Sequence, residues 1–356
     1  MVLTVYAAVS LLGASPAVQV RPPLAAGPFY PADAAKLREV LHGYFDKAQV
    51  EPINARLLAC IVPHGPYGFA GAVAAHAFKE LQPGQYDRVI LLAPSNYATF
   101  QGCSVPSVQG FATPLGVTPL SGPAIREICL SPLITLRSLR YDEVPQRQQV
   151  HEKEYAVEVV LPFLQDRLGY FELIPILVGD LLTGRGEFDV KKLEGIVDAL
   201  GRIMTERTLI VISANFTQYG EAFKYVPFRD NVQERIKALD EHLFSRILAR
   251  DDTGMRAYMR ETRDPVAGAN ALSVGLRMLS ENAFGRVLAY DTSGRMTGMA
   301  EPSVSYAAIN FYDLTAAPLP AQPAATPQPA QAQEPAETAS PAAPAAEATP
   351  ETAEHE

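Results

Sequence analysis

Short apolar runs alternate with amphipathic stretches along residues 20–314, and this alternation limits the possible folds more than any other feature of the chain. Strands that alternate with helices favour a parallel sheet covered on both sides. Five runs are long and apolar enough to be strands buried on both faces. They are LLACIVP (57–63), DRVILLAPS (87–95), FELIPILVGD (171–180), TLIVISANF (208–216) and GRVLAYDTS (285–293). The sequence therefore predicts an α/β fold with a mostly parallel sheet flanked by helices on both faces.

Helical spacing of apolar residues is found between these runs, with Pro and Gly separating the segments. The predicted helices are 33–48, 70–81, 154–168, 190–206, 229–250 and 268–283. A last strand is expected at 303–314, and residues 102–116 indicate a β excursion. Residues 21–314 are therefore expected to form one α/β domain.

The two ends of the chain differ from this domain in composition. Residues 1–20 form an apolar extension in which Ser15 and Ala17 fit a signal-peptidase site, although no Lys or Arg precedes it. This favours export to the periplasm, with a cytoplasmic protein as the alternative. In residues 315–356, 24 of the 42 residues are Ala or Pro. Such a segment cannot bury enough apolar surface to offset its ordering entropy, so a disordered acidic tail is expected.

Charge and cysteine content exclude several classes of function. The net charge is −9, and residues 315–356 contribute six Glu and no Lys or Arg. This balance gives no support to nucleic-acid binding, which needs a basic face. The three cysteines, Cys60, Cys103 and Cys129, are far apart and form no CxxC pair, so neither a structural zinc site nor a disulfide framework is indicated. Once a signal peptide is removed, no membrane span is expected either.

Polar side chains gather where the predicted strands end. In open parallel sheets, ligands bind in the crevice outside the carboxyl ends of the strands. Ser95 and Thr217 belong to these polar clusters, and Glu154 and Glu158 are spaced to share one face of the predicted helix 154–168. The residues expected to line the crevice are His64, Tyr67, Asn96, Tyr97, Glu154, Tyr155, Glu158, Asn215, Gln218 and Tyr219.

Simpler interpretations exist for each of these residues. A histidine after a strand is often a turn residue, and two glutamates four residues apart often form a solvated helix face. Asn or Thr near a strand end commonly caps the next helix. The HEKE sequence at 151–154 lacks the second histidine of a metalloprotease helix, because Tyr155 occupies its place.

Six collinear blocks resemble the motifs of the Memo family across residues 21–314. They are AGPFYP (26–31), VPHGPYGFAG (62–71), LLAPSNYATFQGCSV (91–105), EYAVEVVLPFLQ (154–165), ISANFTQYG (212–220) and DPVAGANALSVGL (264–276). The resemblance implies a fold like that of the class III extradiol ring-cleaving dioxygenases. It also implies membership of the AmmeMemoRadiSam system as its protein B, beside a radical-SAM protein. Family members are described as metal-binding and redox-linked.

Matching the motifs residue by residue shows that this chain departs from the family at its polar positions. The histidine of PHAGY is kept as His64, and both acids of Glu-His-Ser-Leu-Glu are kept as Glu154 and Glu158. The replaced positions are Asn96 for His, Tyr155 for His, Asn215 for Asp, Gln218 for His and Ala267 for Cys. Carboxamide and phenol groups keep a similar size but are weak metal ligands and poor general bases.

The residues leave two main functional hypotheses open, and a third is an exported accessory protein whose tail spaces it from a partner. The first is a module without metal or other cofactor that binds a small molecule or a protein partner, because the replacements preserve shape while removing chemistry. The second is a metal-dependent oxidoreductase or dioxygenase-like enzyme, in which His64, Glu154 and Glu158 hold copper, iron or zinc. The second hypothesis requires helix 154–168 to point both carboxylates into the crevice.

Overall fold

The computed structural model describes residues 19–140 and 147–322. Nine of its strands form one sheet, in the order β12-β14-β2-β11-β3-β10-β4-β7, with β13 paired to β14. The strands of the described residues are Val20–Arg21 (β1), Arg56–Val62 (β2), Arg88–Pro94 (β3), Cys103–Ser104 (β4), Gly110–Thr113 (β5), Gly116–Pro119 (β6), Ile134–Thr135 (β7), Ser138–Arg140 (β8), Arg147–Gln149 (β9), Glu172–Val178 (β10), Thr208–Ser213 (β11), Gln218–Tyr219 (β12), Ala283–Thr292 (β13) and Ser303–Asp313 (β14).

The centre of the sheet is parallel. Strands β2, β11, β3 and β10 run side by side in the same direction, so that Ile210 pairs with both Ala59 and Ile90. These four strands are the first four apolar runs of the sequence, and nearly all their residues are buried. Their carboxyl ends therefore meet at one edge of the sheet, as the α/β prediction requires.

Antiparallel strands extend the sheet on both sides of this centre. β14 pairs with β2, β13 pairs with β14, and β4 pairs with β10, all antiparallel. The predicted strand 285–293 is present as β13, but its burial on both faces is wrong, because most of its residues are only half-buried. The strand pairs with β14 alone and lies at the margin of the sheet.

The two faces of the sheet belong to two hydrophobic cores. Within β3, Val89, Leu91 and Ala93 contribute to one core, whereas Ile90 and Leu92 contribute to the other. The alternation follows from the period of two along a strand. Helices α1, α2 and α5 pack on the first face, and α3, α6, α7 and α9 pack on the second.

The helices agree with the predicted segments at most positions. They are Ala34–Lys47 (α1), Tyr67–Phe78 (α2), Gly122–Ile128 (α3), Val150–Lys153 (α4), Leu161–Leu168 (α5), Val190–Gly201 (α6), Val232–Leu248 (α7), Asp252–Thr262 (α8), Ala269–Met278 (α9) and Ser293–Thr297 (α10), with short 3-10 turns at Glu158–Val160 and Glu221–Phe223. The single helix predicted at 154–168 is wrong. The chain is extended at Glu154, turns at Glu158–Val160 and becomes α-helical only at Leu161.

Both ends of the described chain pack on the domain. β1 pairs with β5 in a small three-stranded sheet. At the other end, the carbonyl of Ala316 accepts the N–H of Arg56, and the carbonyl of Leu319 accepts the side chain of Gln85. Residues 315–322, assigned to the tail from sequence, therefore contact the amino ends of the central strands.

Several predictions concern residues outside this description. The proposed signal peptide, with Ser15 and Ala17, lies there, as do residues 323–356 of the predicted disordered tail. Export and tail disorder stay predictions. Among residues 19–140 and 147–322, none of the helices combines the length and apolar character that a membrane crossing requires.

Candidate ligand-binding cleft at the carboxyl ends of the strands

His64 lies just beyond the carboxyl end of β2 and is 1% exposed. Its Nδ1 atom is 3.0 Å from Ser213 Oγ, which donates to the carbonyl oxygen of Ala156 at 2.9 Å. A hydroxyl group has one proton, so Ser213 must accept its second bond from an Nδ1–H group. The lone pair is therefore on Nε2, which makes no hydrogen bond to the described residues. Burial lowers the pKa of His64 to about 3, so the ring is neutral at pH 7.

The amides after β11 hold backbone segments together. Asn215 Oδ1 accepts the backbone N–H of His64 at 3.0 Å, and the Asn215 N–H donates to the carbonyl of Ala267 at 3.0 Å. The side chain of Gln218 donates to the carbonyl of Pro265 at 3.1 Å. Both residues thus tie the end of β11 to the loop that precedes α9.

Glu154 forms a closed set of hydrogen bonds with Asn96. Its Oε2 accepts the Asn96 N–H at 2.6 Å, and its Oε1 accepts both the Asn96 side-chain amide and the Ala156 N–H at 2.9 Å. Burial raises the pKa of Glu154 above its ordinary value, while these hydrogen bonds oppose the rise. The carboxylate therefore stabilises the extended segment that interrupts the predicted helix, because it binds a backbone N–H two residues on.

Glu158 belongs to a separate, fully buried ion pair with Arg21. Arg21 Nη1 donates to Glu158 Oε2 at 2.6 Å, and the remaining donors are the N–H groups of Leu24 and Ala25 and the hydroxyl of Tyr30. All four donors approach the carboxylate from the N-terminal segment. Glu158 is thus used to fasten residues 21–30 to the domain.

The two glutamates do not share a helix face, so that prediction is wrong. They follow each other along an extended segment and a 3-10 turn, and each has its own set of donors. The alternative triad of His64, Glu154 and Glu158 for copper, iron or zinc is not formed among the described residues. Among the described residues, no group of three or more His, Cys, Asp or Glu side chains is placed to hold a metal ion.

Aromatic side chains cover the crevice beside His64. The ring centroid of Tyr155 is 6.2 Å from that of His64, 5.9 Å from that of Tyr97 and 4.5 Å from that of Phe29. Burial and the nearby Glu154 carboxylate raise the pKa of Tyr155 beyond its usual range, so its hydroxyl stays protonated at neutral pH. Tyr97 is half exposed at the rim.

Two other predicted crevice residues lie in packed interiors. Tyr67, on α2, donates to the carbonyl of Val159 at 2.8 Å and packs against Phe163. Tyr219 stacks on Phe228 with ring centroids 5.3 Å apart, in a small core formed with α7. Their roles here are structural.

A cleft of about 240 Å³ opens where β3 and β10 end and α9 begins. Its walls are polar, and they include residues of the Asn96 segment and of the loop before α9. The lining residues are Pro94, Ser95, Asn96, Ala98, Thr99, Phe100, Val178, Gly179, Asp180, Val266, Ala267, Gly268, Ala269 and Asn270. A larger cleft of about 460 Å³ lies at the amino ends of β2 and β11, beside Arg56 and Thr208. The smaller cleft is the better candidate, since parallel sheets bind ligands at their carboxyl edge.

Comparison with known proteins identifies the family. A family model described as Memo-like protein matches residues 21–310. This chain belongs to the Memo family. The protein memo-1 homolog of Caenorhabditis elegans is 28% identical over 263 residues, covering 71% of this chain and 69% of that protein. The MEMO1 family protein TK1477 of Thermococcus kodakarensis is 28% identical over 273 residues, covering 72% of this chain and 86% of that protein. The crystal structure of uncharacterized protein JW3007 from Escherichia coli K12 matches with a TM-score of 0.45 and 12% identity, covering 72% and 99% of the two chains.

The metal site implied by the Memo resemblance does not fit the residues present. Metal ions prefer imidazole, carboxylate and thiolate donors. At the matched positions the chain offers one imidazole, and its two retained carboxylates already accept three hydrogen bonds (Glu154) and four hydrogen bonds (Glu158). The remaining groups are the carboxamides of Asn96, Asn215 and Gln218, the phenol of Tyr155 and the methyl group of Ala267.

Sequence reasoning missed two residues that organise the Memo crevice. Ser213 selects the tautomer of His64, and Arg21 neutralises Glu158. The period of two along β11 places Ser213 on the same face as Val211, a position that packs toward the first core. Arg21 is 137 residues away from its partner, and no local pattern in the sequence indicates that contact.

Proposed function

We propose that this Memo-family chain is a ligand-binding or protein-interaction module that works without a catalytic metal, in association with the AmmeMemoRadiSam system. The observation that carries the proposal is how the polar groups at the crevice are used. Asn215 and Gln218 hold backbone segments, Glu154 holds Asn96, and His64 is fixed by Ser213. Groups bound in this way maintain the outline of a site while offering few strong ligands to a cation.

The cleft supports a small polar ligand, and one carboxylate, that of Asp180, lies on its wall. Its volume of about 240 Å³ is below the roughly 300–1,000 Å³ typical of drug-sized ligands. Ser95, Asn96, Thr99 and Asn270 place hydroxyl and carboxamide groups on its walls. Such groups both donate and accept hydrogen bonds, which suits a hydroxyl- or amide-bearing molecule or a polar side chain of a partner protein.

Metal analysis of the purified chain tests the metal-free part of the proposal. We expect substoichiometric copper, iron and zinc after purification, and no tight binding when each ion is titrated into the protein. The matched control is a double variant, Asn96→His with Ala267→Cys, which adds an imidazole and a thiol at the two cleft positions. Stoichiometric metal in the unmodified chain that is lost on His64→Ala would contradict the proposal.

A binding assay tests the association with the radical-SAM component. The full chain is immobilised and the radical-SAM protein of the same system is passed over it. A second channel carries Ala267→Trp, in which an indole fills the cleft. Binding that the indole weakens supports a partner contact at this edge. Equal binding by the unmodified chain and by Ala267→Trp would show that the contact lies outside the cleft. Absence of binding to the unmodified chain would exclude the radical-SAM protein as a partner.

A further inference from the structure

Two buried carboxyl groups meet at one hydroxyl group next to the cleft loop. Thr217 Oγ1 lies 2.8 Å from Asp240 Oδ1 and 2.9 Å from Asp264 Oδ2. Asp240 is fully buried, and Asp264 is 6% exposed. Both distances are those of ordinary hydrogen bonds. Two carboxyl groups therefore share a single hydroxyl group inside the protein.

The protonation state of the two carboxyl groups determines which of the contacts to Thr217 are hydrogen bonds. The Thr217 hydroxyl has one proton, so it donates to only one of the two carboxyl groups. Asp240 also accepts the Thr217 N–H at 3.1 Å and the Tyr290 hydroxyl at 2.7 Å, which suits an ionised group. Asp264 has no comparable set of donors, and its Oδ1 is buried without a partner among the described residues. The second contact becomes a hydrogen bond when Asp264 carries a proton and donates it to Thr217.

The neighbouring groups do not supply a positive charge to this pair. Tyr290 on β13 and Ser305 on β14 lie beside Asp240, while Tyr225 and Tyr258 are near Asp264 and donate their hydroxyls to the carbonyls of Thr262 and Leu239. Burial raises the pKa of the three tyrosines, so they are neutral near pH 7. The adjacent Arg263 is exposed, and the ion pairs found in residues 19–140 and 147–322 include neither aspartate.

Asp264 stands at the start of the loop that forms one wall of the cleft. Val266, Ala267 and Gly268 of this loop line the cleft directly. The loop packs closely on the end of β11, since a Cβ atom at Gly268 would lie 2.7 Å from the carbonyl oxygen of Ser213. A change in how Asp264 is held therefore acts on the shape of the cleft.

We propose that Asp264 is a proton-operated latch, which anchors loop 264–268 to Thr217 while protonated and releases it when the proton is lost to solvent. The inference rests on the Asp240–Thr217–Asp264 contacts, and it holds whether or not the cleft binds the ligand proposed above.

The direction of the response follows from the environment of Asp264. Burial, followed by repulsion from Asp240, raises the pKa of Asp264 to about 7. In an opened loop the carboxyl group would regain an ordinary pKa near 3.9. Between these values, opening releases a proton, so the opening equilibrium increases about tenfold for each pH unit and levels off above pH 7.

Hydrogen exchange measured by mass spectrometry on the full chain tests the latch. Peptides covering loop 264–268 are followed between pH 5.5 and 8, with rates corrected for the intrinsic pH dependence of exchange. The variant Asp264→Asn keeps the size of the side chain and has no titrating proton. Asp46→Asn, on the exposed face of α1, is the matched control with the same change in charge.

The expected result is a corrected opening that rises about fivefold between pH 6 and 7 in the unmodified chain and in Asp46→Asn, because half of the closed form has lost its proton at pH 7, but stays constant in Asp264→Asn. A corrected opening that changes less than about threefold between pH 5.5 and 7 in the unmodified chain alone would overturn the latch, even if the variant failed to fold. A response abolished by Asp240→Asn but retained in Asp264→Asn would also overturn it, because the proton would then reside on the other carboxyl group.

Discussion

The two buried carboxyl clusters of this molecule, around Glu158 and around Asp264, compensate the cost of burying a carboxylate charge in different ways. Glu158 is neutralised by Arg21 and accepts hydrogen bonds from four donors. Asp264 faces another carboxylate, shares one hydroxyl group with it, and keeps one oxygen atom without a partner among the described residues. A cation compensates the first group, whereas a proton compensates the second. Only the second form of compensation depends on pH near neutrality.

The region around Glu158 has its own, reversed pH response. His151 is buried beside the ion pair, and its carbonyl accepts Arg21 Nε at 2.7 Å. Burial lowers the pKa of the His151 ring to about 3, so the imidazole is neutral in the folded protein near pH 7. Acid should therefore weaken the Glu158 region, while base should weaken the Asp264 region. The predictions below test this contrast, beginning with the largest effect.

Removing the cation should be the most damaging change. Arg21→Ala leaves Glu158 buried and unpaired, and breaking a buried pair in this way costs about 3–5 kcal/mol of unfolding free energy. Chemical denaturation at pH 7 measures the loss. Lys237→Ala, which breaks the exposed pair with Glu241 on α7, is the control and should leave the midpoint nearly unchanged. Equal effects of the two substitutions would show that the buried Arg21–Glu158 pair contributes no more to stability than an exposed ion pair.

Removing the carboxyl group of Asp264 should instead increase the free energy of unfolding at high pH. The folded pKa of Asp264 is about 7, above the unfolded value of about 3.9, so its favourable contribution is present below pH 4 and lost as pH rises to 7. Asp264→Asn should therefore be close to neutral at pH 4 and stabilising by up to about 4 kcal/mol at pH 8. Denaturation of both proteins across this range gives the difference. A difference that does not vary with pH would place the folded pKa of Asp264 near its ordinary value.

Because loop 264–268 packs closely on the end of β11, replacing Gly268 should lower the free energy of unfolding. Gly268 has a φ of +97°, and an added Cβ would lie 2.7 Å from the Ser213 carbonyl oxygen and 3.1 Å from Ala214 Cα. Gly186→Ala is the control, because Gly186 also has a positive φ, of +79°, but has open space around it. Gly268→Ala should cost about 1–3 kcal/mol more than the control, through overpacking against backbone. Similar denaturation midpoints for the two variants would mean that the loop backbone shifts to accommodate the added Cβ atom with little loss of stability.

The smallest effect should come from His151. Its folded pKa of about 3 lies below the unfolded value near 6.5, so its contribution is present above pH 6.5 and lost as pH falls toward 3. Between pH 7.5 and 5.5 this removes about 1.4 kcal/mol from the stability of the unmodified chain. His151→Gln should lower the loss by that amount. An unchanged loss in His151→Gln would assign the acid sensitivity to other groups.

The sequence predicted the centre of the fold well, because the central strands are continuous apolar runs that few other structures can bury. It failed at residues 154–157, where helical spacing of apolar residues was real but the chain is not helical. There the Glu154 carboxylate binds a nearby backbone N–H and Asn96, which outweighs the local helical preference. Helix α8 was also missed, because its sequence contains few apolar residues and a glycine.

The candidate site was predicted by position more than by contact. Residues at strand ends were expected at one edge, and His64, Asn96, Tyr155 and Asn215 lie there. What spacing could not provide was the direction of each side chain or the identity of distant partners. Arg21, Asp240 and Asp264 act through contacts across many residues, and such contacts depend on tertiary packing.

The place of β14 in the sheet has a consequence for synthesis of the chain. β14 ends at Asp313, yet it pairs with β2, which begins at Arg56. On the ribosome, one edge of β2 stays without its strand partner until almost all of the domain has been translated. An apolar strand with an open edge is a template for pairing with other chains, so nascent molecules of this protein should depend on chaperones until residue 313 emerges.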